Sequence, residues 1–403
     1  MSKMRDLQSG QARLQVVEEI RRAVAEGRFD ARVEVGEEPL GLPQREELLS
    51  SHEKKRSTWG YRANRRIARL AVNTATRVAS HSIAVEGIEH VAGIRGGAII
   101  TSNHFSPTEN ACARLVAQAM GKKHLSIVTN VDNLGMSGVI GYLMRHADTV
   151  PLGTSPDYFK RTFLPRVKEL TDAGECVLIY PEQEMWFNYR LPRPTKRGAS
   201  LVAATCGVPV VPCFIEAQDR LSPEGALFQD VIYVMHVLEP IYPDPAKSIR
   251  QNSIELARLD YERKVEAYER AYHRPLDYAF SPAHIAGLNE RAYWRATCAE
   301  AAHQVAQREI GRRADRTQAW AAGVSSIEEK VCGDGPASCS AELPEGTSST
   351  GVVERTPLAL EAEPAWRVPA TALVACEAAA AGDPRGASAA AGYGRGGRRA
   401  SWM

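Results

Sequence analysis

The side chains best suited to chemistry in this sequence are His104 and Glu109, which lie five positions apart. An imidazole and a carboxylate at this H-x4-E spacing can act as a general base and the group that orients it. The 10 histidines and 48 acidic residues of the 403-residue chain give about one such pair by chance. His81 and Glu86 have the same spacing, but they lie in a predicted strand, where an odd offset sends side chains to opposite faces. The surroundings of each pair therefore have to distinguish them.

Two predicted elements meet at His104. Residues 96–103 are a short apolar run opened by glycines, which predicts a buried strand. Residues 106–109, Ser-Pro-Thr-Glu, have the pattern of N-cap, N1, N2 and N3 of a helix. In one interpretation Glu109 only satisfies a backbone donor in a capping box, and in the other the same helix start holds its carboxylate for His104. The two are compatible, because the positive end of a helix keeps a nearby imidazole neutral and available as a base.

Three further blocks follow downstream. They are residues 175–182, a buried strand ending in Pro-Glu; residues 196–199, Lys-Arg-Gly-Ala before an apolar helix; and residues 208–215, a strand beginning Val-Pro-Val-Val-Pro. With the Asn-His-x4-acid block, this order resembles the glycerophospholipid acyltransferase family, whose best-known members acylate lysophosphatidic acid. The resemblance covers roughly residues 80–245. Four blocks in the family's order are far more specific than any one of them.

The resemblance implies a mechanism and an acceptor site. It makes His104 the base that takes the proton of an acceptor hydroxyl and Glu109 the group that orients the imidazole, with no acyl-enzyme intermediate. By similarity, Asn103 and Glu182 belong to the acceptor-binding site; a turn role for Asn103 and a loop-capping role for Glu182 are the alternatives. Acyl-coenzyme A or acyl-carrier protein would be the co-substrate, with no other cofactor and no metal ion.

The sequence departs from the family where phosphate is held. The family's third block reads Pro-Glu-Gly-Thr-Arg-Ser, whereas residues 181–186 lack its glycine and arginine. The second block normally has an Asp-Arg pair, and its counterpart Asp148 has no arginine in register. A lost arginine removes a bidentate phosphate clamp, unless nearby cations replace it. The candidate substitutes, which could instead form a solvated basic loop, are Arg190, Arg193, Lys196 and Arg197.

Composition restricts the setting. A net charge of +2 is too balanced to indicate nucleic-acid binding. The 8 cysteines form neither a C-x-x-C pair nor a Cys/His cluster, which indicates no zinc site and no disulfide scaffold and fits a reducing cytoplasm. No signal peptide opens the chain, and no run approaches the roughly 18 consecutive apolar residues of a membrane-spanning helix.

Contact with a membrane surface is predicted from one helical pattern. Residues 59–79 combine five arginines with regularly spaced apolar residues. Such a helix can lie on an anionic lipid surface, or it can pack against the domain with its arginines in solvent. With a lipid as the implied acceptor, we expect a cytoplasmic protein bound peripherally at the inner face of the cell membrane.

The alternation of apolar runs and helical patterns predicts an α/β fold with a mixed central β-sheet flanked by helices. The predicted strands lie near 83–87, 97–103, 125–130, 148–152, 176–180, 209–215 and 231–238. The predicted domains are a helical N-terminal extension (1–55), an acyltransferase α/β domain (56–250), C-terminal helices (251–323) and a disordered low-complexity tail (324–403).

Three functions remain open at the level of sequence. The leading hypothesis is an acyltransferase that moves a fatty acyl group from acyl-coenzyme A or acyl-carrier protein to a hydroxyl of a lysophospholipid or another glycerolipid. One alternative is a non-catalytic lipid- or acyl-binding member of the same fold, since the phosphate clamp is missing. The other is a thioester hydrolase in which His104 activates water.

Overall fold

The computed structural model of this protein describes residues 10–34, 40–153, 155–220, 227–299 and 307–310, with positions 312, 315 and 318. Residues up to Glu290 belong to one compact unit, and residues from Arg291 onward belong to a second. The predicted tail, 324–403, lies outside the described residues. The predicted domain boundaries therefore stay a prediction.

The described residues form a seven-stranded sheet. Its strands are β1 (Ile83–Glu86), β2 (Ala98–Thr101), β3 (Leu125–Asn130), β4 (Thr149–Leu152), β5 (Cys176–Ile179), β6 (Val210–Asp219) and β7 (Val231–Val237). The spatial order is β1-β7-β6-β2-β5-β3-β4. Neighbouring strands are parallel except β6 and β7, which are antiparallel. The predicted strands and the mixed character of the sheet are confirmed.

Helices cover both faces of the sheet. They are α1 (Gly10–Ala25), α2 (Leu42–Arg56), α3 (Trp59–Ala79), α4 (Asn110–Ala119), α5 (Gly138–His146), α6 (Pro156–Tyr158), α7 (Leu164–Asp172), α8 (Gly198–Cys206) and α9 (Ile249–Tyr272), with a π-helical turn (Phe159–Phe163) between α6 and α7. The segment predicted to form the C-terminal helices, 251–323, is not α-helical near residue 282. Only a 3-10 turn, Pro282–His284, forms there, because Ile285 and Leu288 pair as extended bridges with Tyr189 and Phe228.

Successive side chains of the central strands point alternately into two separate hydrophobic cores. Ile100 of β2 and Leu178 of β5 face α4. Ile99 and Val177, one residue earlier on each strand, face α7, α8 and α9 on the opposite side. All four are completely buried. Burial on both faces explains why these strands are continuous apolar runs in the sequence rather than alternating ones.

Gly97 allows β2 to enter the sheet close to the turn between α7 and β5. A Cβ atom at this position would collide with the main chain of Thr171 and of Glu175. Glycine is therefore required where β2 begins, because only a residue without a side chain permits this approach of two backbones.

Helix α3 turns most of its large apolar side chains outward. Four of them, Trp59, Ile67, Leu70 and Val78, are at least 60% exposed, whereas Tyr61 is buried. On the inward side, the Nε atoms of Arg65 and Arg69 donate to the buried carboxylate of Asp148 at 2.7 and 2.6 Å. Packing against the domain therefore uses arginines of α3 and leaves its apolar stripe without cover. Among the described residues, no helix has both the length and the apolar character needed to cross a bilayer.

The cysteines differ from the expectation at one position. Cys112, Cys176, Cys206 and Cys213 are free and buried. Cys298 is disulfide-bonded, whereas the sequence indicated no disulfide. Spacing along the chain could not predict this bond, because connectivity depends on which residues meet in space.

Candidate active site

The carboxyl ends of β2 and β5 bring the central site residues to one edge of the sheet. These two strands are parallel, and Thr101 lies opposite Ile179 in their register. His104 follows the end of β2 by three residues, and Tyr180 directly follows β5. The carboxyl edge of parallel strands is where open α/β sheets place their sites.

Glu109 holds the imidazole of His104. Its Oε1 atom accepts a hydrogen bond from His104 Nδ1, and its Oε2 atom accepts from the main-chain N–H groups of Phe105, at 2.8 Å, and Ser106. Because a carboxylate can only accept, Nδ1 carries the hydrogen and Nε2 has the free lone pair. Glu109 is completely buried, while 21% of the His104 side chain is exposed. In the described part of the chain Nε2 has no hydrogen-bond partner, so this atom can act as a base.

The helix after His104 begins later than predicted. Helix α4 starts at Asn110 rather than at Pro107, and residues 107–109 form a turn. Glu109 nevertheless reaches back to the Ser106 N–H group, as a capping glutamate does. The capping interpretation and the catalytic interpretation are therefore both satisfied by one carboxylate. Its two oxygens face back toward residues 104–106.

The ring of Tyr180 covers one face of the His104 imidazole. The ring centroids are 3.9 Å apart, and the ring planes differ by 11°. Burial and the charge of Glu109 raise the pKa of the Tyr180 hydroxyl well above its usual value, so the phenol stays neutral. Sequence reasoning missed this residue. The available signal was an aromatic residue at the end of a strand, directly before the Pro-Glu pair.

Glu182 and Arg193 form a buried ion pair behind His104. Arg193 Nε lies 3.0 Å from Glu182 Oε2, and the two residues are 1% and 2% exposed, respectively. Glu182 also accepts from the main-chain N–H groups of His104, at 3.2 Å, and of Arg193, at 3.0 Å. The predicted acceptor contact of these two side chains stays a prediction; in the structure their polar atoms are engaged with the protein and have almost no exposed surface.

The side chain of Asn103 joins two strands of the sheet. Its side-chain amide donates to the Ile215 carbonyl at 3.0 Å and accepts from the Ile215 N–H at 2.8 Å. The residue is 1% exposed. Both ends of the amide thus extend the pairing of β2 with β6, and the predicted acceptor contact of Asn103 stays a prediction.

Arg190 is likewise tied into the fold. Its guanidinium donates to the carbonyls of Ala217, at 3.2 Å, and of Ala283, at 2.8 Å, and to the carboxylate of Asp219. Only 11% of its side chain is exposed. These partners occupy its donors in the structure, and a phosphate contact by Arg190 stays a prediction.

Lys196 and Arg197 are the two predicted cations that face solvent. Arg197 is exposed, and the Lys196 side chain is 52% exposed and pairs with Asp30 at 2.7 Å. The main-chain N–H of Lys196 donates to the Pro181 carbonyl at 2.8 Å. This bond places both cations beside the segment that carries Tyr180.

Arg114 is a further residue that sequence reasoning missed. It is 7% exposed, and its Nε atom donates to Asn110 at 3.4 Å. Burial lowers the pKa of its guanidinium, and the negative charge of Asp148 opposes that shift. The signal was an arginine interrupting the apolar stripe of α4. Its position brings positive charge to the Tyr180 side of the site.

The second H-x4-E pair, His81 and Glu86, is arranged differently from His104 and Glu109. In the second H-x4-E pair, Glu86 pairs with His236 Nδ1 at 3.2 Å, while His81 lies exposed in the 3-10 turn Ser80–Ser82. Across the described ranges, no group of three or more His, Cys, Asp or Glu side chains is arranged to hold a metal ion. The structure thus distinguishes His104 and Glu109 from the pair with equal spacing.

The site lies in a segment that matches a known family. A family model described as Acyltransferase matches residues 82–216, which contain His104, Glu109 and Glu182. This match agrees with the resemblance to the glycerophospholipid acyltransferase family that the four sequence blocks indicated.

Named relatives match part of the chain. A chloroplastic 1-acyl-sn-glycerol-3-phosphate acyltransferase of Brassica napus is 30% identical over 166 residues, which are 40% of this chain and 46% of that protein. A chloroplastic protein of the same description from Arabidopsis thaliana is 28% identical over 146 residues, 36% of this chain and 39% of that one. The matches thus span less than half the length of these curated relatives. The solved 1-acyl-sn-glycerophosphate acyltransferase of Thermotoga maritima aligns at 16% identity with a TM-score of 0.37, over 69% of this chain and 100% of that one.

Proposed function

We propose that this protein transfers a fatty acyl group from acyl-coenzyme A or acyl-carrier protein to a hydroxyl of a lysophospholipid or another glycerolipid. The observation that carries the proposal is the pairing of His104 with Glu109, which leaves Nε2 as an open base. A base that is not paired with a nucleophilic side chain suits a reaction in which the attacking hydroxyl belongs to the second substrate. The match of residues 82–216 to the Acyltransferase family model supports acyl transfer as the reaction class.

The proposed reaction needs no acyl-enzyme intermediate. Nε2 of His104 removes the proton of the acceptor hydroxyl as that oxygen attacks the thioester carbonyl carbon. Collapse of the tetrahedral intermediate forms the ester and breaks the carbon–sulfur bond, and the imidazolium returns its proton to the leaving thiolate. Between these steps the buried carboxylate of Glu109 stabilises the imidazolium.

Lys196 and Arg197 are the proposed contacts for a phosphate on the acceptor. They are exposed and adjoin the Tyr180 segment through the bond of Lys196 to Pro181. Cations that keep free surface can exchange water or a weak surface partner for a phosphate. The exposed ion pair of Lys196 with Asp30 is of this exchangeable kind.

Helix α3 is the proposed contact with the membrane, with the inner face of the cell membrane as the proposed location. Ile67 and Leu70 point outward with 60% and 70% exposure. Arg62, Arg66 and Arg77 of the same helix are also exposed. An apolar stripe accompanied by arginines fits a surface with anionic headgroups above acyl chains.

The test uses the purified protein with palmitoyl-coenzyme A or palmitoyl-acyl-carrier protein as the donor and a panel of lysolipids as acceptors. Release of free thiol should depend on the acceptor, and mass spectrometry should show the acylated lipid. Thiol release at the same rate without any acceptor would indicate a thioester hydrolase. Lysolipid binding with no thiol release from either type of donor would indicate a non-catalytic lipid-binding protein. Either of these two outcomes contradicts the proposal.

A further inference from the structure

We infer that Glu182 and Arg193 are positioning residues, which hold the main chain of His104 so that its imidazole meets the acceptor hydroxyl in one orientation. This inference rests on the proposed function and adds to it a role for a pair that contacts no substrate. It also separates the pair from the exposed cations Lys196 and Arg197, which are the proposed contacts for phosphate.

The pair holds the main chain of His104 at both of its polar groups. The N–H group of His104 donates to Glu182 Oε2 at 3.2 Å. Its carbonyl accepts from Arg193 Nη2 at 3.3 Å and from the Trp186 N–H at 3.1 Å. Since Glu109 fixes the ring at Nδ1, His104 is held through its backbone and its side chain together.

The geometry of the ion pair is itself fixed. Glu182 Oε1 accepts from the main-chain N–H of Arg193 at 3.0 Å, and Oε2 accepts from Nε of the same residue at 3.0 Å. The guanidinium lies over the Trp186 ring, 4.6 Å from its centroid. A buried pair of this kind often adds little stability compared with apolar residues of similar size. Its contacts with His104 give it a role in orientation instead.

Part of this support comes from outside the segment that matches the family model. Arg193 Nη1 donates to the Phe29 carbonyl at 2.8 Å, and Trp186 Nε1 donates to the Ala31 carbonyl at 2.8 Å. The Phe29 ring also packs on Tyr278, with 4.4 Å between the ring centroids. The N-terminal extension thus completes the loop that carries the pair, so the orientation of His104 depends on residues far from it in sequence.

The first test is Arg193→Lys, which keeps the charge but loses the planar fork that reaches four acceptors. A shift of about 1 Å in a catalytic group can cost about 100-fold in rate. We therefore expect kcat to fall by about ten- to 100-fold, with the KM for a lysophospholipid acceptor nearly unchanged. A large rise in KM with kcat preserved would show that Arg193 binds the acceptor and would overturn the inference.

The matched control is Lys264→Met. Lys264 and Asp260 form a second buried ion pair, 2.9 Å apart and 1% and 2% exposed, on α9. If loss of activity in Arg193→Lys came only from a weakened fold, Lys264→Met should lower kcat as much at a similar loss of thermal stability. We expect Lys264→Met to lower the unfolding temperature and to leave kcat close to that of the wild type. Equal losses of kcat in the two variants would contradict a positioning role.

A second readout needs no turnover. In protein labelled with nitrogen-15 at histidine, the hydrogen on His104 Nδ1 gives a resonance that His104→Ala removes. Arg193→Lys should shift or broaden this resonance, and Lys264→Met should leave it in place. If the wild type has no acyltransferase activity, the proposed function fails while this resonance still tests the positioning. An unchanged resonance in Arg193→Lys would overturn the inference by itself.

Discussion

The phenol ring of Tyr180 lies parallel to the imidazole of His104, with 3.9 Å between the ring centroids. One face of the imidazole is therefore covered, and its Nδ1 edge is bonded to Glu109. Because burial and the charge of Glu109 raise the pKa of Tyr180, this neighbour is a neutral phenol at physiological pH. The imidazole atom that stays available for a substrate is Nε2, where the proposed proton transfer occurs.

The stacked ring should matter more than its hydroxyl. Aromatic pairs contribute about 0.5–1.5 kcal/mol beyond burial, so we expect Tyr180→Leu to lower kcat by about two- to tenfold. Tyr180→Phe keeps the ring and should stay close to the wild-type rate. Steady-state thiol release with a fixed lysolipid measures both. If Tyr180→Phe loses as much activity as Tyr180→Leu, the hydroxyl rather than the stacking is what the reaction uses.

Removing Lys196 and Arg197 together should weaken binding of phosphate-bearing acceptors. A hydrogen bond to a charged group contributes about 1.5–3 kcal/mol when desolvated and less at an exposed site, so we expect the KM for lysophosphatidate to rise about five- to tenfold. The KM for a monoacylglycerol, which has no phosphate, should not change. Arg161→Ala, at an exposed arginine elsewhere, is the matched control. A parallel rise in KM for both acceptors would argue against a phosphate contact.

The outward face of α3 should control binding to vesicles. Replacing Ile67 and Leu70 by serine removes apolar surface that is 60% and 70% exposed, so the fold should tolerate the change. Full burial of such side chains contributes about 1.5–3 kcal/mol each, and we expect the apparent Kd for phosphatidylglycerol vesicles to rise at least about tenfold. Co-sedimentation measures this, with Leu201→Ser on α8 as the control. Vesicle binding that is insensitive to the double variant would exclude α3 as the membrane contact.

Two buried histidines should make the fold sensitive to acid. Burial lowers the pKa of His52 and of His284 from 6.5 to about 4. Between these values the unfolded chain binds protons that the folded chain does not, so the free energy of unfolding falls as the pH drops from 6.5 toward 4 and is retained above 6.5. Denaturant titrations across this range measure the slope. His52→Gln should flatten it and His81→Gln, at an exposed position, should not; a slope unchanged by His52→Gln contradicts this assignment.

The strands and the His104–Glu109 pair could be predicted because their signals are local. Strand β5, Cys176–Ile179, is apolar throughout because both of its faces are buried. His104 and Glu109 are five positions apart on a strand-to-helix connection, so the chain itself limits how far they can separate. The start of α4 at Asn110 could not be placed to the residue, because cap and first-turn patterns locate a helix end only to within a few positions.

The roles of the nearby cations could not be predicted, because their partners are distant in sequence. Arg193 donates to the Phe29 carbonyl across 164 positions, and Arg190 donates to the Ala283 carbonyl across 93. A sequence shows the charge of an arginine but not the carbonyl groups that the fold directs at it. The direction of the apolar face of α3 was open for the same reason, since Asp148 lies 79 positions from Arg69.

The most direct test of the central claim compares His104→Ala with His81→Ala in acceptor-dependent thiol release from palmitoyl-coenzyme A. His81 belongs to the pair of equal spacing and lies exposed in a turn, so its loss controls for removal of a histidine as such. General acid–base catalysis contributes about 10²–10⁴-fold to a rate. We therefore expect His104→Ala to lose activity by about this factor, and His81→Ala to match the wild type. A rate in His104→Ala equal to that of the wild type would contradict the assignment of His104 as the base.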